Sequence, residues 1–249
     1  GFNPMPNPRL AAEMPDAFTN MGLTAENLAT IYEIKRESQE KFAIESHLRA
    51  ANADFTDVII PITTADGIVS TDGCIRPTSN ASSLARLGPV FKADGSVTAG
   101  TSSPLTDGAA FVLICSKKFA IAQGLKILAS IESTAVSGCS PEIMGIGPVA
   151  ASQKALARAG VSLKDIDVIE LNEAFSAQSL AVIEELGLDT SKVNIDGGAL
   201  ALGHPLGASG ARIVGRAVTI LTRNKANIAL ATMCIGGGQG IATVLRRVE

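Results

Sequence analysis

The alternation of apolar and polar positions becomes regular near residue 126, where apolar runs of strand length begin to alternate with stretches of helical period. Pro148 at a helix entry and Gly160 and Gly187 just past two helix ends fit the capping preferences of helices. The pattern predicts strands over residues 127–135, 168–171, 228–233 and 241–246, a short strand between residues 187 and 207, and helices over residues 148–159, over residues 175–186 and after Gly207. We therefore expect an α/β domain with a five-stranded mixed sheet covered by helices.

The pattern before residue 126 is less regular. Residues 1–15 contain four prolines and no helix or strand pattern. Further along, apolar spacing predicts a helix capped by Thr24, a second helix over residues 36–51, a strand over residues 58–62 and a surface loop over residues 65–80. A helix or strand is expected from Asp107 to about Cys115, with Cys115 buried as a small hydrophobic residue. His47, among polar residues of the second helix, is interpreted as a structural histidine, with a catalytic role as the alternative.

A glycine-rich stretch over residues 194–212 lies between an extended run and a helix, and it contains His204 followed by Pro205. Glycine tolerates positive φ and lets backbone N–H groups approach a ligand closely, and the helix that follows adds a partial positive charge. His204 is therefore expected on a stiff turn beside a positive helix end. The alternative is a glycine-rich turn with a buried structural histidine.

Two other polar stretches follow predicted strands: Asn172-Glu173-Ala174-Phe175 and Cys234-Ile235-Gly236. Together with Gly203-His204-Pro205, their order and spacing resemble the motifs of the thiolase family, closest to 3-ketoacyl-CoA and acetoacetyl-CoA thiolases. The resemblance runs from Met21 to the C-terminus. It implies a thiolase-like fold with a loop-rich CoA-binding region over residues 1–106, the end of an N-terminal core domain over residues 107–127, and a C-terminal core domain over residues 128–249.

The resemblance implies four catalytic positions. Cys234 corresponds to the acid/base thiol that handles the α-proton, and it would need a stabilised thiolate to act as a base near neutral pH. His204 would activate the nucleophile and donate to the thioester oxygen, while Asn172 would hold a water beside it. The Gly236 amide would serve a second oxyanion hole. Glu173 is expected to be structural, and a buried, inert cysteine is the alternative for Cys234.

The resemblance also implies contacts to substrate. The positions that match are Arg76 and Ser83 near the nucleotide end of CoA, Phe91 and Ser103 along the pantetheine arm, and Met144 near the reacting thioester. Phe175 is a further substrate-binding position. Arginine beside phosphate has a physical basis in charge-assisted hydrogen bonds. The plain alternatives are a solvated loop arginine, a turn serine and a core methionine. Gly88 stands where the family commonly has arginine, and Lys35 stands where it usually has a helix-capping serine.

Composition narrows the classes of function and compartment. The chain has 249 residues, 46% hydrophobic and only 4% aromatic, with a net charge of −3, which argues against a surface that binds nucleic acid. Its four cysteines form no C-x-x-C pair, and no signal peptide or membrane span is recognisable. A reducing, cytoplasmic location is expected, or an organelle matrix if a preceding segment carried a targeting signal. Two disulfides in a secreted protein are the alternative.

None of Cys74, Cys115 and Cys139 has flanks like those of the thiolase nucleophile. The resemblance therefore implies part of an acyl-CoA C-acyltransferase of fatty-acid β-oxidation that cleaves 3-ketoacyl-CoA by thiolysis or condenses acetyl-CoA, and the missing nucleophile predicts that this chain is inactive by itself. CoA is expected as substrate, with no metal or permanently bound cofactor, and the complete enzyme as a homodimer or homotetramer. A non-catalytic protein that binds CoA thioesters or a thiolase subunit is the alternative.

Overall fold

The computed structural model describes residues 5–248. The helices are α1 (Pro8–Glu13), α2 (Met21–Ile31), α3 (Arg36–Asn52), α4 (Ala81–Leu84), α5 (Lys117–Ala122), α6 (Gly147–Ala159), α7 (Ser176–Leu186), α8 (Ala199–Leu202) and α9 (Leu206–Asn224). The strands are β1 (Ile62–Thr64), β2 (Gly67–Val69), β3 (Ala129–Gly138), β4 (Val168–Leu171), β5 (Ile228–Ile235) and β6 (Gln239–Arg247).

The main sheet has the strand order β3-β6-β5-β4. Strand β4 runs parallel to β5, and the other two pairs are antiparallel, so the predicted mixed sheet is confirmed. The expected fifth strand is reduced to a single parallel bridge between Ile169 and Val193. It stops there because Asn194 adopts a φ of 45° and its side-chain amide bonds the backbone N–H and C=O of Leu171 at 2.9 and 2.8 Å, in place of further ladder bonds.

Both faces of this sheet are covered by apolar side chains. One face packs against α6 and α7 through a core that includes Ile166, Leu171 and Leu230, each at most 1% exposed. The opposite face packs against α9, whose Ile220 and Leu221 are fully buried. Because every residue of β4 is buried, its sequence is continuously apolar except for Glu170.

Helices α2 and α3 pack beside this unit. Their first turns differ, because a side chain caps α2 and none caps α3. The predicted cap at Thr24 is wrong: Thr24 is buried inside α2, and Asn20 caps the helix by accepting from the Gly22 N–H at 2.8 Å. Lys35 precedes α3 without any side-chain cap bond, as its side chain lacks an acceptor. The expectation of no regular structure over residues 1–15 is wrong for α1, which Asn7 caps; residues 1–4 lie outside the described residues.

The segment from residue 58 to residue 116 contains little regular structure. The strand expected over residues 58–62 is wrong except at Ile62, which begins a short hairpin of β1 and β2 with all six residues exposed. The surface loop expected over residues 65–80 is correspondingly wrong for β2. Residues 103–115, named the connecting segment below, form neither helix nor strand. The prediction of an element ending near a buried Cys115 is therefore wrong, and Cys115 is exposed. Its apolar neighbours are exposed too, because the described part of the chain packs no second strand beside them.

Candidate active site

Strand β4 ends at the segment Asn172-Glu173-Ala174-Phe175, which leaves the sheet beside β5. The Asn172 N–H donates to the Thr232 carbonyl at 3.0 Å, which extends the parallel pairing by one step. The side chain of Asn172 is 1% exposed. The carboxyl end of β4 thus places the Asn172 side chain beside Thr232 of β5, two residues before Cys234. Functional groups commonly lie at this end of parallel strands.

Glu173 holds the glycine-rich stretch in place. Its buried carboxylate accepts from Ser46 Oγ at 2.6 Å, from Asn194 Nδ2 at 2.7 Å and from the Leu200 N–H at 3.2 Å. Burial raises the pKa of this carboxyl, while the three donors act in the opposite direction. These contacts join α3, β4 and α8, which agrees with a structural role for Glu173.

The turn that carries His204 is constrained on both sides. Gly203 has a φ of 86°, and a Cβ at this position would lie 2.6 Å from the Thr106 side chain, so only glycine fits without displacing its neighbours. The Gly203 carbonyl accepts from Arg212 Nη1 at 2.7 Å. Helix α9 begins at Leu206, immediately after Pro205. His204 is therefore fixed between a tight turn and the start of a helix, as its sequence predicts.

Two polar side chains contact the His204 ring. Asn172 Nδ2 lies 3.3 Å from Nε2, and Ser209 Oγ lies 2.6 Å from Nδ1. Burial is the main cause that lowers the pKa of His204, and the charge of Arg212 adds to it, so the imidazole is neutral near pH 7. The alternative of a purely structural histidine does not explain why the ring meets Asn172 from a separate polar stretch.

Ser209 was not identified from the sequence. Its only signal is its position, four residues after Pro205 on the predicted helix, which places its hydroxyl over the turn that carries His204. Arg212 was missed for the same reason, since it lies one turn further along α9 and bonds the same loop. Serine and arginine are common on helices, so neither stands out without the three-dimensional contact.

Cys234, at the end of β5, is 6% exposed and packs with Met144 and Ala174. Burial raises the pKa of its thiol to about 12. The low-dielectric surroundings disfavour the charged form of this side chain, and the stabilised thiolate expected at Cys234 stays a prediction. Burial also raises the pKa of the nearby Cys139, whose Sγ lies 3.8 Å from the Met144 carbonyl oxygen.

Gly236 lies in the exposed turn that joins β5 to β6. Gly237 and Gly238 follow with φ values of 82° and 89°. The Gly238 carbonyl accepts from the Cys139 N–H at 2.8 Å, and a Cβ on Gly238 would lie 2.3 Å from the Cys139 carbonyl oxygen. The turn is thereby held against the loop after β3, with the Gly236 backbone accessible from outside.

Three of the candidate substrate-binding residues converge on the 172–175 segment. The Ser103 N–H donates to the Ala174 carbonyl at 2.9 Å. The Phe175 ring meets the Phe91 ring edge to face, with centroids 5.8 Å apart, and both are half-buried. Met144 joins them through its contact with Ala174 and Phe175. The structure therefore places contacts to Ser103, Phe91, Met144, Cys234 and His204 along the 172–175 segment, which itself contains Asn172 and Phe175.

Arg76 and Ser83 lie apart from that group in sequence and in their contacts. The Arg76 side chain is exposed, and its backbone N–H donates to Nδ1 of the buried His47 at 3.1 Å. This bond gives His47 a partner, as expected of a structural histidine. The Ser83 hydroxyl both donates to the Asn80 carbonyl and accepts from the Asn80 N–H in the capping box of α4. It would have to leave that box to bind a ligand.

Two further features bear on the kind of site. Among residues 5–248, no group of three or more His, Cys, Asp or Glu side chains is arranged to hold a metal ion. Within the same described range, no helix combines the length and the apolar character that crossing a membrane requires.

Comparison with known sequences matches residues 10–118 to the family described as "Thiolase, N-terminal domain" and residues 125–247 to "Thiolase, C-terminal domain". The chain is 49% identical over 255 residues to a 3-ketoacyl-CoA thiolase of Marinomonas sp. (strain MWYL1), covering 97% of this chain and 65% of the relative. It is 50% identical to that of Pseudoalteromonas translucida (strain TAC 125), covering 98% of this chain and 66% of the relative. The chain thus spans just under two thirds of the length of these relatives.

Solved structures give the same result for the fold. The crystal structure of human mitochondrial 3-ketoacyl-CoA thiolase in complex with CoA superposes with a TM-score of 0.90 at 46% identity, covering 92% of this chain and 59% of that one. The Bacillus anthracis acetyl-CoA acetyltransferase superposes with a TM-score of 0.87 at 44% identity, covering 92% and 60%. The predicted thiolase-like fold is confirmed, and with matches to both family domains, this chain belongs to the thiolase family.

Proposed function

We propose that this chain forms the acid/base part of an acyl-CoA C-acyltransferase, which cleaves 3-ketoacyl-CoA by thiolysis or condenses acetyl-CoA in the reverse Claisen direction. The contact between Asn172 and His204 carries the proposal, because it joins two separate polar stretches beside the strand that ends in Cys234. A protein that only binds a thioester has no chemical need for these three groups together. The complex of the human relative with CoA supports CoA as the substrate class.

Cys234 would act on the α-carbon. In thiolysis, the bond between the α-carbon and the ketone carbon breaks, and the departing carbanion needs a proton. A thiol with a pKa of about 12 is fully protonated before the reaction, so Cys234 Sγ holds the proton that this step consumes. In the condensation direction, the same sulfur, as a thiolate, would take that proton back from the α-carbon. Both directions pass through the same buried thiolate, so the pKa of Cys234 does not select one of them.

His204 and Asn172 would stabilise negative charge on the thioester oxygen, His204 through a ring N–H and Asn172 through a water held by its amide. Asn172 Oδ1 is buried and has no partner among residues 5–248, so it has capacity to bind such a water. The accessible Gly236 amide would serve the oxyanion of the tetrahedral intermediate. Loss of one oxyanion donor reduces turnover by about 10²- to 10³-fold.

The substrate would run from the connecting segment toward Cys234. Ser103 would bond a pantetheine amide through its hydroxyl, Phe91 and Phe175 would line the arm, and Met144 would contact the reacting thioester. Arg76, exposed on its loop, has the charge for the nucleotide phosphates. Ser83 would have to break its hydrogen bonds with Asn80 at the start of α4 to contact the nucleotide end of CoA.

The acyl carrier would come from polypeptide equivalent to the remaining third of the relatives' length. Burial raises the pKa of the two thiols near the 172–175 segment, Cys139 and Cys234, which disfavours the thiolate that nucleophilic attack requires. Without a carrier, neither acyl transfer to the enzyme nor acyl release proceeds. The homodimer or homotetramer expected of a complete thiolase stays a prediction, as does a cytoplasmic location.

Thiolysis of acetoacetyl-CoA tests the proposal. The 249-residue chain would be assayed alone and after mixing with a separately produced polypeptide that carries the remaining third of a relative, including a nucleophilic cysteine. We expect turnover only in the mixture, and loss of about 10²-fold or more in the mixture with His204→Ala or Asn172→Ala. Turnover by the chain alone that Cys234→Ser abolishes would contradict the division of labour and make Cys234 the acyl carrier.

The second candidate is a chain that binds CoA thioesters or a thiolase subunit without catalysis. The raised pKa values of both cysteines favour it, since a binding role requires no thiolate. Calorimetric titration with CoA separates the two: saturable binding that Ser103→Ala and Arg76→Ala weaken, with a mixture that never turns over, would support this candidate. Turnover in the mixture that depends on His204 would exclude it.

A further inference from the structure

Ser209 is fully buried, and its hydroxyl lies between two partners on the loop that precedes α9. Oγ is 2.6 Å from His204 Nδ1 and 3.1 Å from the Pro205 carbonyl oxygen. A serine hydroxyl has a single proton, so it donates to one partner and accepts from the other. A carbonyl oxygen can only accept. If the hydroxyl donates to Pro205, as helical serines commonly do to the carbonyl four residues earlier, it must accept from His204 Nδ1–H.

We propose that Ser209 is a positioning residue that fixes the ring proton of His204 on Nδ1 and leaves the lone pair of Nε2 facing Asn172. Asn172 Nδ2, 3.3 Å from Nε2, then donates to that lone pair. The catalytic meaning of this arrangement rests on the function proposed above, whereas the arrangement itself does not.

The surroundings of Asn172 favour the same assignment. With Nδ2 toward the ring, the amide uses one donor, and Oδ1 stays free to accept from a bound water. With the amide reversed, Oδ1 would accept from Nε2–H, and both N–H donors of a 1% exposed side chain would have no partner in the described part of the chain. Buried donors without partners are rarer than under-used carbonyl oxygens, so the first arrangement costs less.

The second histidine carries the opposite arrangement. His47 Nδ1 lies 3.1 Å from the Arg76 backbone N–H, which can only donate, so Nδ1 holds the lone pair and Nε2 holds the proton. Burial lowers the pKa of both histidines, so both rings are neutral above about pH 7. Because the chain contains only these two histidines, each tautomer corresponds to one residue.

The assignment explains how one ring can perform two steps. Once the Asn172 amide gives up its contact with the ring, the Nε2 lone pair accepts the proton of the nucleophilic thiol: the S–H bond breaks, an Nε2–H bond forms, and the ring becomes a cation that still donates from Nδ1 to Ser209. The new Nε2–H is then a donor for the thioester oxygen. With the proton on Nε2 from the start, the ring could donate but could not accept the thiol proton on that side.

Nitrogen NMR of the histidine-labelled 249-residue chain tests the inference without any catalysis. Magic-angle-spinning spectra above pH 7 report the tautomer of each ring whether the chain is dissolved or associated. We expect one ring protonated on Nε2 and one on Nδ1, and His47→Gln should remove only the Nε2–H set. Two rings protonated on Nε2 would overturn the inference. The signal of His47 serves as an internal check that the labelled chain is folded.

Ser209→Ala provides the second arm, since it removes the hydroxyl with little change in volume. We expect the ratio of Nδ1–H to Nε2–H at His204 to fall about tenfold, the effect of one net hydrogen bond, and Ser209→Thr to restore it in part. Ser152→Ala, at a fully buried serine on α6, is the matched control and should leave the ratio unchanged. An unchanged ratio in Ser209→Ala would contradict the positioning role.

Kinetics of the mixture described above would add a consequence of the tautomer: Ser209→Ala should lower kcat and leave KM for acetoacetyl-CoA unchanged. The spectra test the positioning role of Ser209, and the assay tests the proposed function, so each can be refuted without the other. A mixture that never turns over, with His204 protonated on Nδ1, would refute the proposed function and leave the positioning role intact. Turnover with His204 protonated on Nε2 would do the reverse.

Discussion

The unit from β3 to β6 and the connecting segment over residues 103–115 are both rich in apolar residues, yet only the first is packed. In β4 and β5, side chains such as Leu171 and Leu230 are at most 1% exposed. In the connecting segment, Leu105 is fully exposed, Phe111 is 89% exposed and Leu113 is 75% exposed. The sequence Ala109-Ala110-Phe111-Val112-Leu113-Ile114-Cys115 has the composition of a buried strand but forms none.

An apolar segment therefore forms a strand only where a neighbouring strand pairs with its backbone and a helix covers its side chains. Strand β4 has β5 beside it and helices on both faces, so its backbone is paired and its side chains are covered. The connecting segment is anchored near its beginning, where Ser103 bonds Ala174 and Gly203 meets Thr106. We infer that the rest of the segment requires polypeptide from outside the described residues to cover it.

The largest expected contrast comes from truncating one leucine in each region. Leu230→Ala, in the centre of the sheet, should lower the free energy of unfolding by about 2–5 kcal/mol, because it leaves a cavity in a packed core. Leu113→Ala should change it by less than about 0.5 kcal/mol, because the side chain is exposed. Urea unfolding followed by circular dichroism measures both. Equal losses would show that the segment is packed as tightly as the sheet.

The second contrast uses pH. Burial raises the pKa of Glu170 on β4 to about 8, well above its value in an unfolded chain. The folded state therefore holds the proton between about pH 4.5 and pH 8, so the contribution of Glu170 is present below this window and is lost as pH rises through it, at up to about 1.4 kcal/mol per pH unit. Glu170→Gln should remove this slope. Asp107→Asn, at an exposed carboxylate of the connecting segment, should leave it unchanged.

Urea unfolding of the two variants at pH 5, 6.5 and 8 provides the measurement. The stability of Glu170→Gln relative to the parent chain should increase with each step in pH. A constant difference across the three values would mean that Glu170 is ionised in the folded chain, held by the charges of Arg216 and Arg212.

A third test addresses the point where the two regions meet. Gly203→Ala should destabilise the chain by about 1–3 kcal/mol, because it forces a Cβ onto the Thr106 side chain at a positive φ. Gly207→Ala is the matched control: a Cβ there meets no atom within 4 Å, and alanine is favoured in a helix, so stability should stay equal or rise slightly. Thermal unfolding measures both. A neutral Gly203→Ala would mean that the segment does not lie against the His204 turn.

The smallest expected effect concerns association. The exposed side chains of the connecting segment should cause the chain to self-associate, and Phe111→Ser with Leu113→Ser should weaken this association several-fold while leaving the unfolding midpoint nearly unchanged. Sedimentation velocity over a range of concentrations gives the association. Replacing Ile60 and Ile68, which are exposed near the β1–β2 hairpin, is the control for a general loss of surface apolarity. An equal effect from the control pair would show that the connecting segment is not the surface through which the chain self-associates.

The sequence predicted the regular half of the molecule well, because periodicity is strong where both partners of each contact are present. The predicted strand over residues 168–171 matches β4 in full, and Gly160 and Gly187 end their helices in the left-handed conformation as capping rules require. The predicted burial of Cys115 is wrong, since an apolar run does not reveal whether a partner strand is present to cover it.

In the candidate site, the glycine turn, His204 and Asn172 could be predicted because each belongs to a motif, and their roles stay predictions. Ser209 was missed because it is distinguished only by its contact with His204, and a contact cannot be recognised from the sequence pattern. The state of Cys234 was also beyond the sequence: flanking residues suggest donors, but the shift of its pKa depends on how completely Met144 and Ala174 exclude water.

The antiparallel pairing of β3 with β6 has a consequence for biosynthesis. Ala129 pairs with Arg247, so the partner of β3 follows more than a hundred residues later in the chain. At ribosomal rates of about 5–20 residues per second, β3 waits on the order of 5–25 s for that partner. During this interval the backbone N–H and C=O groups that β6 later pairs are open, and Ala135, which is buried in the folded chain, is uncovered. A nascent chain stalled before β6 should therefore recruit chaperones, and one released after β6 should escape them.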